Sequence, residues 1–401
     1  MNMKTCLLVA TVFITGLQFN FAADANLSKL AVANNDFSFK LLKELVTEKP
    51  GGNVFVSPYS AATALQMAAN GAAGQTKAEM QQVLETSGIG TAALNEASKA
   101  AADLLGSPNT NVILTTANAL WYRQGAAVKP GFIEENQKYF GSTIKALDFG
   151  NVPAAEAEIN QWASDQTHGR ITGVANGMIR AYTDLILANA IYFKGKWEDP
   201  FDVKLTKERP FHSAGGAETN LPMMAMSKKF DYRKGTGYQA VRLPYMGWNL
   251  AMYVFLPDTG FSPAKLLNII NGNNWRRVTV PGFDEREGHL VLPKFKLENT
   301  LELTAPLETL GMKTAFDSQH ANFSGMFTDQ HYISEVRQKA FVEVNEEGTE
   351  AAAVTGIMAI ASGIEEETPK PFEMIVDRPF LFAIVDARSE MILFIGVVNQ
   401  L

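Results

Sequence analysis

The side chains that most often perform catalysis or bind metal ions follow no catalytic spacing in this sequence. The chain contains no G-x-S-x-G nucleophile elbow, no H-E-x-x-H zinc motif, no P-loop and no G-x-G-x-x-G dinucleotide loop. Its histidines are scattered without metal-ligand spacing, at His168, His212, His289, His320 and His331. We therefore expect no catalytic residue, no metal site and no cofactor, and we do not expect an enzyme.

One segment near the C-terminus instead combines residue types that seldom occur together. Residues 345–370 read NEEGTEAAAVTGIMAIASGIEEETPK. The segment is too apolar for a solvated linker, and its small side chains and glycines do not suit a core helix. The pattern indicates a segment with a role of its own, which the elements around it must explain.

The composition is that of a globular protein with an acidic balance. The chain has 401 residues, of which 46% are hydrophobic, with a formal net charge of -7 and a pI near 5.4. It carries no long basic run, so nucleic acids and heparin-like polyanions are poor partner candidates.

The N-terminus has the pattern of a secretory signal peptide. A single lysine precedes an apolar, uncharged run over residues 6–21, and residues 23–25 form an A-x-A cleavage pattern. We predict a signal peptide over residues 1–25, with cleavage after Ala22 or Ala23 as alternatives. A short membrane anchor is the other interpretation, which the shortness of the apolar run disfavours.

The predicted mature protein is a secreted domain over residues 26–401 that does not associate with a membrane. Cys6 is the only cysteine and would leave with the signal peptide, so we expect no disulfide and no thiol nucleophile. Asn26-Leu27-Ser28 and Asn322-Phe323-Ser324 fit the glycosylation acceptor pattern, and their occupancy stays open.

Hydrophobic periodicity predicts helices first and then mostly strands. The apolar residues from Asn35 to Leu45 have helical spacing, residues 50–52 (PGG) end that helix, and a Ser-Pro pair at Ser57 starts another. Further strands are predicted at residues 112–122, 185–193, 240–245, 250–258, 289–298, 337–348, 379–386 and 391–399. One short helix is predicted at residues 301–312. This order predicts an α+β fold in one domain.

Six motifs, in this order along the chain, resemble the serpin family. They are NVFVSPYSAATALQM (53–67), LILANAIYFKGKWEDPF (185–201), LPKFKLE (292–298), LGMKTAFDSQHANFSGM (310–326), QKAFVEVNEEGTEAAA (338–353) and VDRPFLFAIVD (376–386). The resemblance covers about residues 27–401. It implies a serpin fold with three β-sheets, about nine helices and an exposed reactive-centre loop.

The resemblance also implies a mechanism of inhibition. A target protease cleaves the loop at residues 348–369, residues 348–361 insert as a strand into the central sheet, and the protease stays covalently attached. The catalytic nucleophile then belongs to the protease. The resemblance places the moving hinge at Glu346, Glu347, Gly348, Thr349, Glu350, Ala351, Ala352 and Ala353.

The residue types of the loop fit such an insertion. Every second residue from Thr349 to Ala359 is uncharged and most are small, as inward positions of a strand require. The intervening positions, which include Glu350, would face outward. No proline interrupts residues 348–367, so each amide there can join a ladder, and Gly348 provides a pivot.

The bait bond follows from the family's spacing. Counting forward from Glu346 predicts cleavage between Ser362 and Gly363, with Ala361-Ser362 as the alternative. Counting back from the Pro379-Phe380 motif points instead to about Thr368. Two earlier residues, Met358 and Ile360, would suit a chymotrypsin-like protease.

The loop composition restricts the class of target. Residues 348–369 contain no Lys or Arg, so a trypsin-like protease is not expected. Small residues at the predicted bond suit elastase-like or subtilisin-like serine proteases. The acidic run at residues 365–367 either steers a protease with a basic rim or only keeps the loop soluble.

Other matched positions belong to the machinery that opens the sheet. Ser57, Ser60 and Asn189 match the shutter, and Gln338 stands where the family often has a histidine, so we expect no pH sensitivity through that position.

At the entry point of the loop, Trp197 and Lys294 match the breach, with Lys294 placed to pair with Glu346. We expect a monomer whose partner is a protease. Two alternatives stay open: a non-inhibitory carrier or chaperone with the same fold, and a cross-class inhibitor of papain-like cysteine proteases.

Overall fold

The computed structural model describes residues 3–106, 111–279, 282–349 and 370–401, with side chains from residue 25 onward. Within these ranges the helices are α1 (Met3–Glu48), α2 (Pro58–Gly71), α3 (Gly74–Val83), α4 (Thr91–Leu105), α5 (Pro130–Phe140), α6 (Val152–Gln166), α7 (Pro263–Leu266), α8 (Gly272–Thr279) and α9 (Thr304–Leu310). The predicted helix from Asn35 is the second half of α1, which ends just before the predicted Pro-Gly-Gly stop. The signal peptide stays a prediction.

Most strands of the described part of the chain lie in its second half. They are β1 (Val54–Val56), β2 (Val112–Arg123), β3 (Thr143–Leu147), β4 (Leu185–Lys196), β5 (Lys207–His212), β6 (Glu218–Gly235), β7 (Tyr238–Pro244), β8 (Leu250–Pro257), β9 (Asp284–Pro293), β10 (Phe295–Glu302), β11 (Ile333–Val344), β12 (Gly348–Thr349), β13 (Phe372–Ile375), β14 (Phe380–Asp386) and β15 (Met391–Val398).

Hydrogen bonding joins the described strands into two networks. A six-stranded sheet has the order β10-β11-β4-β2-β3, with β12 also paired to β4. The other network has nine strands, and its long strand β6 pairs with β5, β9 and β7 along successive parts of its length. The strands β1, β15, β14, β8 and β7 thus form one group and β5, β9 and β13 another, connected through β6. The predicted α+β fold is confirmed.

The start of α2 shows how local sequence places the later site. Ser57 caps the helix with its side chain, which accepts the N–H of Ser60, and Pro58 occupies the first turn. Nearly every residue of α2 is buried, because its small side chains let the helix pack closely against both sheets. The cap residues therefore lie directly beneath the six-stranded sheet.

The six-stranded sheet is covered on both faces at its centre. One face packs on the main core, and the other packs on α6, where Trp121 of β2 meets Trp162 of α6 edge to face at 6.2 Å between ring centroids. β4 is accordingly buried along its first nine residues without alternation, as its continuous apolar run predicted. Among the described residues, no helix is long and apolar enough to cross a membrane.

Candidate functional site

The chain reverses direction immediately after β11 in a tight turn. The N–H of Asn345 donates to the carbonyl of Gly348 at 2.8 Å, and the N–H of Gly348 donates back at 3.2 Å. The side chain of Asn345 also accepts the N–H of Glu347 at 3.1 Å. This turn returns the chain toward the sheet, so that Gly348 and Thr349 form β12.

Strand β12 occupies the head of the six-stranded sheet, beside β4. It pairs antiparallel, with Gly348 opposite Lys196 and Thr349 opposite Gly195. Gly348 has φ of 145°, and a Cβ there would lie 2.0 Å from the carbonyl oxygen of Gly195. Only glycine fits this position, because any side chain would meet backbone atoms that have no room to move.

Thr349 is fully buried in an aromatic seat. Its Oγ1 lies 3.1 Å from the hydroxyl of Tyr245, whose ring stacks on Trp197 at 4.6 Å between centroids and meets Phe193 edge to face at 5.0 Å. Burial raises the pKa of Tyr245, so its hydroxyl stays neutral and able to donate. Tyr245 was not predicted from the sequence, although it ends the predicted strand 240–245.

The breach holds an ion pair in which the Glu346 side chain is buried and the Lys294 side chain is partly exposed. The ammonium of Lys294 lies 2.8 Å from one carboxylate oxygen of Glu346, and the hydroxyl of Thr206 donates to the other at 2.8 Å. Burial alone would raise the pKa of Glu346, but the hydrogen bonds from Lys294, from its own backbone N–H and from Thr206 together lower it. The structure thus brings together the two residues that the family resemblance paired.

Trp197 connects this ion pair to the turn. Its indole Nε1 donates to the carbonyl of Asn345 at 3.0 Å, and its backbone N–H donates to the carbonyl of Glu347 at 2.9 Å. With Phe201, whose N–H donates to the carbonyl of Glu346 at 2.7 Å, it fixes the backbone of the hinge from the β4 side. The head of the sheet is therefore held by aromatic, charged and backbone contacts.

The predicted shutter residues meet at the centre of the same sheet, all of them buried. Gln338 of β11 is in register with Asn189 of β4, and it donates to the Asn189 side-chain carbonyl at 2.7 Å. Gln338 also accepts the N–H of Ser57 at 2.7 Å and donates to the Ser57 carbonyl at 2.9 Å. Asn189 donates to the hydroxyl of Ser60.

Asn118 extends this cluster and was missed from the sequence. It is in register with Asn189 on the adjacent strand β2, and its side-chain oxygen accepts from Asn189 Nδ2 at 2.6 Å. Nothing in the stretch 112–122 distinguishes this residue, because the row Gln338–Asn189–Asn118 exists only once the three strands pair. All members are neutral, so the cluster carries no titratable group.

The six-stranded sheet is closed below its head. β11 pairs directly and in parallel with β4, from Ile333 opposite Leu185 to Phe341 opposite Tyr192. An inserting strand must separate these two strands.

The remaining predicted loop residues lie outside the described residues. These are Glu350, Ala351, Ala352, Ala353, Met358, Ile360, Ala361, Ser362, Gly363 and Thr368.

The outward orientation expected for the intervening loop positions stays a prediction, but the face of β4 beside which they would lie is covered at the centre of this sheet. The face of β4 that they would share carries Ile186, Ala188 and Ala190, which are buried against α6 and the segment that follows it. That segment is held to β11 by Lys339, whose ammonium donates to the carbonyl of Thr172 at 2.6 Å. An inserted strand would be enclosed on both sides.

The other predicted features are placed as follows. Asn322 is exposed, and its side chain accepts the N–H of Ser324 at 3.1 Å, while Asn26 is partly exposed on α1. Within the described ranges, no group of three or more His, Cys, Asp or Glu residues could hold a metal ion.

Comparison with known proteins gives one consistent result. A family model described as "Serpin (serine protease inhibitor)" matches residues 32–401. The leukocyte elastase inhibitor of Bos taurus is 36% identical over 383 residues, which is 92% of this chain and 99% of that protein. Plasminogen activator inhibitor 1 of Mus musculus is 33% identical and covers 98% of each chain. Human thyroxine-binding globulin complexed with its ligand superposes with a TM-score of 0.84 at 26% identity, over 94% of this chain and 99% of that one.

Proposed function

The chain belongs to the serpin family, and we propose that it is a secreted inhibitor that traps serine proteases after cleavage in residues 348–369. As a member of a family of protease inhibitors, it is not an enzyme. Insertion of residues 348–361 into the six-stranded sheet would supply the free energy of trapping.

The observation that carries this proposal is the register of β12. Gly348 pairs with Lys196 and Thr349 with Gly195 in an antiparallel ladder. Each further residue of the loop would therefore pair with the preceding residue of β4, and Ala359 would reach Leu185, where β4 begins. Residues 348–359 would thus cover the whole of β4, and residues 360–361 of the inserted segment would lie beyond its start.

Both faces of the extended register accept the loop's side chains. On the core face, the alternate residues from Thr349 to Ala359 would lie beside buried positions of β4 and carry no charge. Thr355 would lie opposite Asn189, where its hydroxyl can replace contacts that Asn189 loses when β11 moves away. On the α6 face, Gly356 would lie opposite Ala188, so the absence of a side chain eases passage beneath α6.

Insertion is energetically favourable under this register. Each added ladder hydrogen bond contributes roughly 0.5–1.5 kcal/mol net, and a strand between β4 and β11 forms two ladders in place of the one that now joins them. A glycine in mid-strand costs only about 0.5–1 kcal/mol. The gain therefore exceeds the cost of Gly356 several-fold.

The proposed target is an elastase-like or subtilisin-like serine protease that cleaves at Ser362-Gly363, or alternatively at Ala361-Ser362. The absence of Lys and Arg from residues 348–369 supports this choice over trypsin-like enzymes, and one relative is named an elastase inhibitor. We further propose removal of residues 1–25, action as a monomer and no polyanionic partner, in line with the net charge of -7.

The test is a parallel incubation of the protein with pancreatic elastase, subtilisin, chymotrypsin, trypsin and papain. We expect a complex stable in SDS with elastase or subtilisin, and a released C-terminal peptide beginning at Gly363 by mass spectrometry. Clean cleavage without any complex would contradict inhibition and favour a carrier role, as for the thyroxine-binding relative. A complex with papain alone would indicate cross-class inhibition.

A further inference from the structure

The segment that joins α6 to β4, residues 167–184, lies on the α6 face of the six-stranded sheet. Its apolar side chains, which include Ile171, Val174 and Met178, pack in one cluster with residues of α6, β2 and β4. This connecting segment covers the sheet beside the seam, which is the line along which β4 pairs with β11. A strand that enters the seam would have to pass beneath it.

Polar contacts fasten the connecting segment to α6 and β2. The side chain of Asn160 on α6 accepts the N–H of Ala175 at 2.8 Å and donates to the side chain of Asn176 at 2.7 Å. The guanidinium of Arg123 on β2 donates to the carbonyl of Ala181 at 3.0 Å and to one further carbonyl of the segment. Because these contacts and the apolar cluster all lie on one side of the seam, we expect the segment to stay with α6, β2 and β4 when the sheet opens.

Two cations of β11 reach the same segment from the other side of the seam. The ammonium of Lys339 donates to the carbonyl of Thr172 at 2.6 Å, and the guanidinium of Arg337 donates to the carbonyl of Asn176 at 2.8 Å. Both side chains are largely enclosed, at 12% and 13% exposed. These two cross-seam hydrogen bonds therefore tie β11 to a segment that is held on the β4 side.

The carboxylate partners of both cations lie on the β11 side of the seam. Lys339 lies 2.9 Å from Glu298 of β10, and Arg337 contacts Glu335, two residues earlier on β11. Because β10 pairs with β11, each ion pair would move with β11 as a unit. Opening of the seam therefore breaks the two bonds to the segment without separating either cation from its carboxylate.

We propose that the cross-seam hydrogen bonds of Lys339 and Arg337 limit the rate at which a strand enters between β4 and β11. The proposal rests on the loop insertion proposed above. A new strand would displace β11 by about 4.8 Å, the spacing of paired strands, which is more than the length of either hydrogen bond. Hydrogen bonds of charged groups are about twice as strong as neutral ones, so breaking them adds a barrier to entry.

The register gives the order in which the two bonds break. Lys339 is in register with Ala190 of β4, and Arg337 is in register with Ala188. A strand that extends β12 would run from Gly195 toward the start of β4, so it would reach the level of Lys339 first. Both levels lie between the head of the sheet and the start of β4, so the barrier falls after entry has begun.

A synthetic peptide tests the cross-seam bonds without any protease. It has the sequence of residues 350–361, which follow β12, and it is annealed into the intact protein. Uptake is followed by native gel electrophoresis and by the rise in the temperature of unfolding. We expect the peptide to enter Lys339→Met about fivefold to tenfold faster than the unaltered protein, because the closed sheet has lost one charge-assisted hydrogen bond.

Arg337 is tested together with its carboxylate partner. The double substitution Arg337→Met and Glu335→Gln removes the second cross-seam bond without leaving a carboxylate deprived of its cation. We expect a similar acceleration of peptide entry, and a larger one when Lys339→Met is added. The two sets of variants remove the bonds independently, so each checks the other.

Arg123→Met is the matched control, because it loses the same kind of bond to the same segment. Arg123 holds the segment from β2, and its bonds do not cross the seam. We expect the free energy of unfolding, measured by urea denaturation, to fall about as much as in Lys339→Met. The rate of peptide entry should nevertheless equal that of the unaltered protein.

The outcomes separate the cross-seam bonds from the insertion itself. Entry at the unaltered rate in the Lys339 and Arg337 variants would overturn the proposed barrier and leave insertion intact. Equal acceleration in Arg123→Met would also overturn it, since any loosening of the segment would then be sufficient. Failure of the peptide to enter even the unaltered protein would contradict the proposed insertion, and with it the barrier.

Discussion

The head and the centre of the six-stranded sheet are held closed by different kinds of interaction. At the head, Glu346 pairs with a lysine, and Thr349 fills an aromatic seat. At the centre, Gln338, Asn189 and Asn118 form a row of neutral hydrogen bonds. A charged, shape-selective head suits a point where one particular strand must enter, whereas neutral amides suit a point where partners must be exchanged.

The head and the centre also differ in whether a third strand is already present beside β4. The head already contains a third partner, β12, whereas at the centre β11 and β4 still pair directly. Changes at the head should therefore alter entry of the loop, and changes at the centre should alter the stability of the closed sheet.

The largest effect is expected from Thr349→Arg. The side chain of Thr349 is fully buried against Tyr245, and burial of an unpaired charge there costs several kcal/mol, roughly 2–7 even for an uncharged polar group. We expect the inhibitor to become a substrate, with cleavage but no SDS-stable complex. Thr47→Arg, at an exposed threonine of α1, is the control and should trap normally. Undiminished trapping by Thr349→Arg would contradict the claim that burial of Thr349 is needed for inhibition.

Asn189→Leu tests the centre of the comparison. The change removes the Asn189 contact of the Ser60 hydroxyl and of the Asn118 side-chain oxygen, and it removes one of the three hydrogen bonds of the Gln338 side chain. We expect the free energy of unfolding to fall by about 2–4 kcal/mol, measured by urea denaturation of the intact protein. Asn220→Leu, on an exposed stretch of β6, should change it little; an equal loss in both variants would mean that the central cluster has no special role.

Gly348→Ala separates steric from electrostatic control of the head. The new methyl group would meet the carbonyl of Gly195, so we expect β12 to leave its place and the amide of Trp197, which donates to the carbonyl of Glu347, to exchange faster with solvent. Gly216→Ala is the matched control, because Gly216 also has a positive φ, 83°, but has open space around its Cβ position. The free energy of unfolding of this control is expected to fall by about 1 kcal/mol. If Gly348→Ala disturbs the protein no more than Gly216→Ala does, the steric argument is wrong.

Lys294→Met should give the smallest effect and the clearest pH signature. Because the folded-state pKa of Glu346 lies below its ordinary value of 4.5, the pair stabilises the fold above that pH, and this stability is lost as the pH falls through the folded pKa. We expect Lys294→Met to lose about 1 kcal/mol at neutral pH and part of the acid dependence of unfolding.

The control for this prediction is an exposed ion pair. Lys229 lies 3.5 Å from Glu285, and both side chains are more than half exposed, at 58% and 68%. Lys229→Met should change stability by less than about 0.5 kcal/mol. Equal effects of the two variants would show that burial adds nothing to the Lys294–Glu346 pair.

The sequence predicted the strands whose side chains are apolar without interruption, such as β4, β14 and β15, since burial on both faces leaves that trace. It did not predict β6, because the adjacent pairs Met223-Met224 and Lys228-Lys229 break the alternation of apolar and polar residues that indicates a strand. The ion pair and most of the central cluster followed from the family resemblance. Asn118 and Tyr245 did not, because each depends on the register between strands that are distant in sequence.

Strand β12 has a kinetic consequence for the competition that decides inhibition. Starting a new strand between two others is slow, because the chain ends must first be brought together at an entropic cost. Here the first rungs of the ladder, at Gly348 and Thr349, exist before any protease arrives. In the proposed mechanism, the cleaved loop would need only to extend an existing strand end while the bound protease attempts to hydrolyse its acyl bond. The outcome of that competition would then be set by extension of the strand and not by its nucleation.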